Sequence, residues 1–239
     1  MEKYVNRLNK ILEQNNVCKS HGIIHAIKVM HNVENALQCT DFKINENEKY
    51  CVLLAALLHD ADDKKFFPNN LNFENLRYIL SDNNEEIVNL VIKMVDLVSS
   101  SKNGDNIPKE AIENEWLLYP RYADRLEAIG LEGIQRCYHY ALTSNNNLYL
   151  PSSPCADREE EIWKAATIER YNNYRGKSQS MIDHYYDKLL RATFFPIKNK
   201  FFEYESNQRR KPLIDFLLYF SKNKKITNKD IENFIANYK

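Results

Sequence analysis

Glycine and proline are scarce, with 5 and 7 residues in a chain of 239. So few breakers speak for helices joined by short loops rather than for turn-rich strands. There is no two-residue hairpin signal and no internal repeat. The five cysteines, Cys18, Cys39, Cys51, Cys137 and Cys155, contain no CxxC pair. An odd count without a framework excludes a disulfide scaffold and indicates reduced thiols in a cytoplasmic setting. Long hydrophobic runs are missing as well. The longest, residues 51–58, falls far short of the ~18 residues a membrane span needs. The opening MEKYVNRLNK lacks the apolar core of a signal peptide. Finally, there is no excess charge of either sign. Lys+Arg and Asp+Glu both number 33, which argues against nucleic acid or an acidic membrane as partner.

What the chain does have is 44 % hydrophobic content in helical rhythm. That is enough for one sizeable core, and the reading is all-α with a single domain over 1–239. Between His21 and Leu37, Ile23, Ala26, Ile27, Met30, Val33 and Leu37 recur at helical spacing, with Ser20 available as a cap. Residues 45–59 read as a buried helix, and residues 85–98 as an amphipathic one. SKNGDNIP is the clearest loop. Pro120 suits the first position of a helix running through YADRLEAIG and beyond. NNNLYLPSSPCAD, residues 145–157, is a second loop, placed to act as a lid. Helices are expected around 158–174, 179–192 and 199–222. A last one opens on Thr227 with Asp230 three residues later, a capping box with Asp in place of Glu.

One stretch breaks the pattern. In LLAALLHDADDKKFF the apolar run of residues 53–58 ends abruptly in His59-Asp60, followed by Asp62, Asp63, Lys64 and Lys65. A His-Asp pair alone is weak evidence, but a pair rooted in a dry helix is rigidly held. An upstream helix carries His21 and His25 four residues apart, on one face. A downstream helix carries Asp124, bordered by apolar residues. Imidazoles and carboxylates together suit Mn²⁺, Fe²⁺, Co²⁺, Ni²⁺ or Zn²⁺.

In these residues the chain resembles the HD-domain superfamily of metal-dependent phosphohydrolases. That signature is a His on one helix, a His-Asp dipeptide on a second and an Asp on a later one, met here by His25, His59-Asp60 and Asp124. The chain also resembles a branch of small HD hydrolases with three longer motifs. H-D-x-x-H-x-x-R-V is met by His21, His25 and Val29, with Gly22 and Lys28 as departures. L-L-H-D-x-x-D-x-K is met by Leu57, Leu58, His59, Asp60, Asp63 and Lys65. D-A-D-R-L-D-A-I-G is met by Ala123, Asp124, Arg125, Leu126, Ala128, Ile129 and Gly130, with Tyr122 and Glu127 as departures. Near the C-terminus IDHYYDKLL is similar to the branch's H-F-Y-E-K-L-L, matching at His184 and Lys188. The core motifs fall within about 17–140, with helices of 158–237 completing the site and core.

The resemblance implies an all-α helical bundle with one divalent ion, Mn²⁺ first and Co²⁺, Ni²⁺, Fe²⁺, Zn²⁺ or Mg²⁺ as alternatives, held by His25, His59, Asp60 and Asp124. Such an ion lowers the pKa of bound water and polarises a phosphoryl oxygen. Asp63 is implied as a general acid/base beside the metal-bound water, sharing the His59 face if the helix continues, and His21 as a second catalytic residue. Lys65, Arg125, His184 and Lys188 are implied as groups that offset phosphate charge. The implied reaction is hydrolysis of a (deoxy)nucleoside triphosphate to monophosphate and pyrophosphate. A 5′-nucleotidase-type phosphomonoesterase and a non-catalytic nucleotide-binding protein are the alternatives. No His lies between His59 and His139, which speaks against two-metal branches, and Gly22 stands where H-E-x-x-H needs its glutamate. Simpler readings stand beside these: Lys64 and Lys65 as a solvated helix end, Arg125 as a structural ion-pair partner, Asp62 as exposed, His31 and His139 as structural or exposed.

Overall fold

A computed structural model describes residues 1–18 and 21–238; the capping role expected of Ser20 lies outside the described residues. The architecture is all-α. The chain forms two compact units, one of residues 1–124 with 197–202, the other of 125–196 with 203–239.

The first unit begins with α1 (Glu2–Gln14), which sequence reasoning passed over although Tyr4, Leu8, Ile11 and Leu12 form its buried stripe. Next come α2 (Ile23–Gln38), α3 (Glu46–Leu58), α4 (Glu74–Ile79) and α5 (Glu85–Val98). Helix α3 is the centre, packed against both α2 and α5. Cys51, Val52 and every residue from Leu54 to Leu58 are buried, so no polar face is needed along its inner length. Its start is fixed by a capping box. The Asn45 side chain accepts from the Glu48 amide at 2.9 Å, and Glu48 accepts from the Asn45 amide at 2.8 Å. The expected loop SKNGDNIP is entered by one helical turn, α6 (Ser100–Asn103), before Gly104 takes a positive φ of 54°. After α7 (Lys109–Glu113) and a 3₁₀ turn (Glu115–Leu118), α8 (Tyr119–Glu127) brings Asp124. Arg121 is buried within this unit, donating to the carbonyls of Leu97 at 2.7 Å and Asn106 at 2.8 Å.

The helix expected to run on through YADRLEAIG stops at Glu127. Gly130 has φ +77°, and α9 (Gly130–Thr143) starts afresh. A Cβ on Gly133 would sit 2.5 Å from the Ala128 carbonyl oxygen, so the tight junction requires glycine there. The second unit continues with α10 (Glu159–Ala165), α11 (Ile168–Asn173) and α12 (Met181–His184). A π-helical turn (Tyr185–Leu189) and α13 (Leu190–Ala192) follow, then α14 (Lys200–Asn223) and α15 (Asn228–Asn237). The expected Thr227/Asp230 capping box opens α15. The loop of 145–157 is tied down, which does not suit a lid. Backbone amides of Met181 and Ile182 donate to Asn147 and Leu148 carbonyls at 2.8 and 3.0 Å. The buried Ser153 hydroxyl donates to Asp183 at 2.8 Å, while Arg170 bridges Asp183 at 2.7 Å and Asp187. A buried network of this kind is rigid as long as every member is satisfied.

Candidate metal centre

The apolar rows of α2 and α3 that face one another place His25 and His59 together. His25 lies one turn into α2, and His59 is the residue at which α3 ends. Their Nε2 atoms are 3.2 Å apart. The Nδ1 of His59 faces the Ala56 carbonyl oxygen at 2.8 Å. Donating there, neutral His59 keeps its lone pair on Nε2, the nitrogen that faces His25.

The carboxylates close on the same point. Asp60 Oδ2 lies 3.4 Å from His59 Nε2 and 3.9 Å from His25 Nε2. Asp124 Oδ1 lies 3.3 Å from His25 Nε2 and 3.6 Å from His59 Nε2. One donor atom each from His25, His59 and Asp60 falls within 4.8 Å of the others. The His59 side chain is 1 % exposed and that of Asp124 31 %, so the cluster is dry on the histidine side and open on the Asp124 side. Asp60 Oδ2 is buried and has no hydrogen-bond partner.

Left to themselves, these four side chains are poorly arranged. With both imidazoles neutral and His25 in the tautomer that leaves its Nε2 without a proton, two nitrogen lone pairs 3.2 Å apart repel, and a buried carboxylate oxygen without a donor forfeits its hydration. A proton or a cation between them removes both penalties. The charges respond accordingly. Burial alone would pull the His59 pKa down, but the Asp60 carboxylate and, further off, Asp124 outweigh it and push it up to about 9. Burial would raise the Asp60 carboxyl, yet His59 holds it below the ordinary carboxylate value. Two imidazoles and two carboxylates converging in this way fit a divalent ion with room for further oxygen ligands.

After Leu58 the chain tightens instead of continuing as a helix. The amides of Ala61 and Asp63 bond to the carbonyls of Leu58 and Asp60 at 3.0 and 3.2 Å, both three residues back. The expectation that Asp63 sits one α-turn beyond His59 on a continuing helix therefore does not hold. Asp63 begins a new turn, its Oδ1 accepting from the Lys65 amide at 2.9 Å and its carbonyl from the amides of Phe66 and Phe67. Asp62 is not simply exposed. It accepts from the Asn70 side chain at 2.7 Å and from the amides of Asn75 and Leu76 at 3.1 and 2.9 Å, anchoring the start of α4.

His21 stands next to the cluster, its ring 6.0 Å from that of His25 and 5.1 Å from Phe66. Cys18 Sγ is 3.3 Å from its Nδ1. Neither Cys18 nor Phe66 was read as part of the site, although Cys18 lies three residues before His21, the one available signal. Lys65 is exposed, with its ammonium 5.1 Å from the Phe66 ring. Two of the four departures from the resemblance lie close to the ligands in the chain. Gly22 is the residue before α2, and Tyr122 is buried with its ring 6.2 Å from Phe202.

In the second unit Arg125 is buried. His184 and Lys188, expected on one regular helix, are separated by the onset of the π-helical turn. Ser178 Oγ lies 3.3 Å from His184 Nδ1, and Tyr174 receives both the His184 ring, at 5.4 Å, and the Lys188 ammonium, at 5.6 Å. Burial first, and Lys188 second, lower the His184 pKa to about 4. At neutral pH His184 offers a hydrogen bond and not the charge expected of it.

No family model matches the chain. Protein L803 of Acanthamoeba polyphaga mimivirus is 36 % identical over 232 residues, covering 89 % of this chain and 93 % of that protein. Among solved structures, a Lactobacillus plantarum protein is similar with TM-score 0.65 and 21 % identity, covering 93 % of this chain and 95 % of that one. An HD-superfamily hydrolase from Bacillus thuringiensis gives TM-score 0.64 and 20 % identity over 95 % of this chain and 97 % of that one. YpgQ of Bacillus subtilis, in complex with ADP, gives TM-score 0.57 and 19 % identity over 92 % and 96 %. The chain shares the fold of these solved structures, an HD-superfamily hydrolase among them.

Proposed function

We propose that this chain, which belongs to one family with the mimivirus protein L803 and has the HD-superfamily fold, is a metal-dependent phosphohydrolase acting on nucleotides. The reaction proposed is conversion of a (deoxy)nucleoside triphosphate to monophosphate and pyrophosphate. The observation that carries the reading is the His25, His59, Asp60 and Asp124 cluster with its unpartnered Asp60 oxygen. The ADP complex of YpgQ supports a nucleotide as ligand.

Held by those four residues, a divalent ion would supply a Lewis acid for a phosphoryl oxygen and a source of hydroxide near neutral pH. The protein's own part is to orient and to move protons. Ala56 fixes the His59 tautomer, so that His59 presents a lone pair and not a proton. Asp63 is assigned the proton of the attacking water, which its acid form returns to the leaving oxygen. His21, its Nδ1 engaged by Cys18, is assigned a contact to the substrate through Nε2. Lys65 lies in the exposed turn that also carries Phe66, and is assigned phosphate charge. Arg125, His184 and Lys188 are assigned to the substrate as well, with Lys188 as the charge and His184 as a neutral donor.

Metal analysis of purified protein and of His25→Ala, His59→Ala and Asp124→Ala tests the site, and a nucleotide panel tests the activity. The reading requires loss of both metal and hydrolysis in each variant. Full metal occupancy in any of them would remove that residue from the site.

A further inference from the structure

Two arginines of the second unit, Arg191 on α13 and Arg210 on α14, flank the same pair of aromatic rings. Trp163 on α10 and Phe194 meet edge to face with centroids 5.3 Å apart. The Arg210 guanidinium lies 4.4 Å from Phe194 and 5.9 Å from Trp163, and that of Arg191 lies 5.8 and 5.9 Å from the same two rings. Each is pinned by its Nε. Arg191 donates to the Ala166 carbonyl at 2.7 Å. Arg210 donates to Thr193 Oγ1 at 2.9 Å, and its Nη2 to the Thr193 carbonyl at 3.1 Å.

Neither arginine has an ion-pair partner among the described residues, whereas Arg170 and Arg209 of the same unit are each held by carboxylates. The charge of Glu159 reaches Arg210, but that carboxylate is exposed and spends an oxygen on the Trp163 indole at 2.9 Å. Two half-buried cations are fixed against one ring pair, Arg191 with both Nη groups left over and Arg210 with Nη1, and neither is ion-paired to a carboxylate among the described residues. Planar guanidinium forks match the oxygens of a tetrahedral anion. Phe194, 45 % exposed, adds an open ring face beside them.

We propose that Arg191, Arg210, Trp163 and Phe194 form a binding site for a phosphate-bearing anion. The site shares no residue with the His-Asp cluster and does not rest on the hydrolase reading. Its ligand is recognised by the phosphate oxygens. A base carried on that phosphate would stack on Phe194.

Trp163 makes the site its own reporter, and Trp116, the other tryptophan, is removed as Trp116→Phe. Chelator-treated protein in this background is titrated with inorganic phosphate, pyrophosphate and a nucleoside monophosphate at constant ionic strength set with sodium chloride. A saturable change in Trp163 emission below ~1 mM is expected with at least one of them. Arg191→Gln and Arg210→Gln should each weaken it about tenfold or more. Equal affinity for all phosphate species identifies the phosphate alone as what is bound. A nucleotide preference that Phe194→Leu abolishes adds the stacked base, and either result supports the site. No saturable change up to ~10 mM overturns the proposal, as does binding left intact in both glutamine variants. Circular dichroism reports whether each variant folds. If Arg210→Gln does not, Arg191→Lys decides, because it keeps the charge but not the fork. Unchanged affinity there rejects bidentate recognition and the proposal with it.

Discussion

Asp60→Asn in metal-free protein isolates the electrostatics of the cluster. Burial lowers the His59 pKa, and the Asp60 carboxylate is the chief group opposing it, so that His59 rises from 6.5 to about 9. That rise corresponds to about 3 kcal/mol of folded-state stabilisation. Because the folded pKa lies above the ordinary value, the contribution is fully present below pH 6.5 and disappears as pH climbs through about 9. Asparagine preserves the shape and removes the charge. Burial then dominates, Asp124 being the remaining carboxylate to oppose it, and His59 should titrate at or below its ordinary value. The assay is denaturant unfolding of chelator-treated protein from pH 6 to 9.5, with the His59 imidazole followed by NMR. Wild type should lose up to ~3 kcal/mol across this window and Asp60→Asn should lose little of it. A divalent ion needs neutral His59, so binding at pH 7.5 should release about one proton from wild type. An Asp60→Asn protein whose His59 still titrates near 9 would refute this assignment of the charge.

Three further outcomes are expected. Asp63→Asn should keep the metal and nucleotide affinity while kcat falls ~10²–10⁴-fold; a kcat within about threefold of wild type would leave Asp63 only its role in the 63–67 turn. Stripped protein should regain more activity with Mn²⁺, Co²⁺ or Ni²⁺ than with Mg²⁺, because two imidazoles disfavour the all-oxygen preference of Mg²⁺. Comparable rates with Mg²⁺ after rigorous stripping would contradict the ligand set. Asp62→Ala should cost ~1–3 kcal/mol by releasing the two α4 amides and the Asn70 side chain it binds. Urea unfolding measures this, and a change under ~0.5 kcal/mol would show the anchor to be solvent-equivalent.

The helices that carry the cluster were legible because periodicity and burial agree there. Residues 85–98 were read as a helix and form α5, and the expected 45–59 helix forms α3 within a residue at each end. His59-Asp60 stood out because polar groups interrupt an apolar run at the point where the helix must end. The rest depends on partners remote in sequence. Nothing local says that Asp62 caps α4, that Asp183 collects Ser153, Ser180 and Arg170, or that Arg121 is buried against two carbonyls. The π-helical turn is equally silent, since Tyr185–Leu189 has ordinary helical composition and only the i→i+5 bond from Leu190 to Tyr185 marks it. The Glu127–Gly130 break was signalled by Gly130, but the apolar period carried the reading past it.

The most direct test is chromatographic separation of products after incubating a deoxynucleoside triphosphate with protein reloaded with Mn²⁺, beside a chelated control. The proposed reaction requires monophosphate and pyrophosphate in equal amounts, formed only with the metal and not by Asp60→Asn. Orthophosphate with diphosphate, or no turnover by a protein shown to contain its metal, would contradict it.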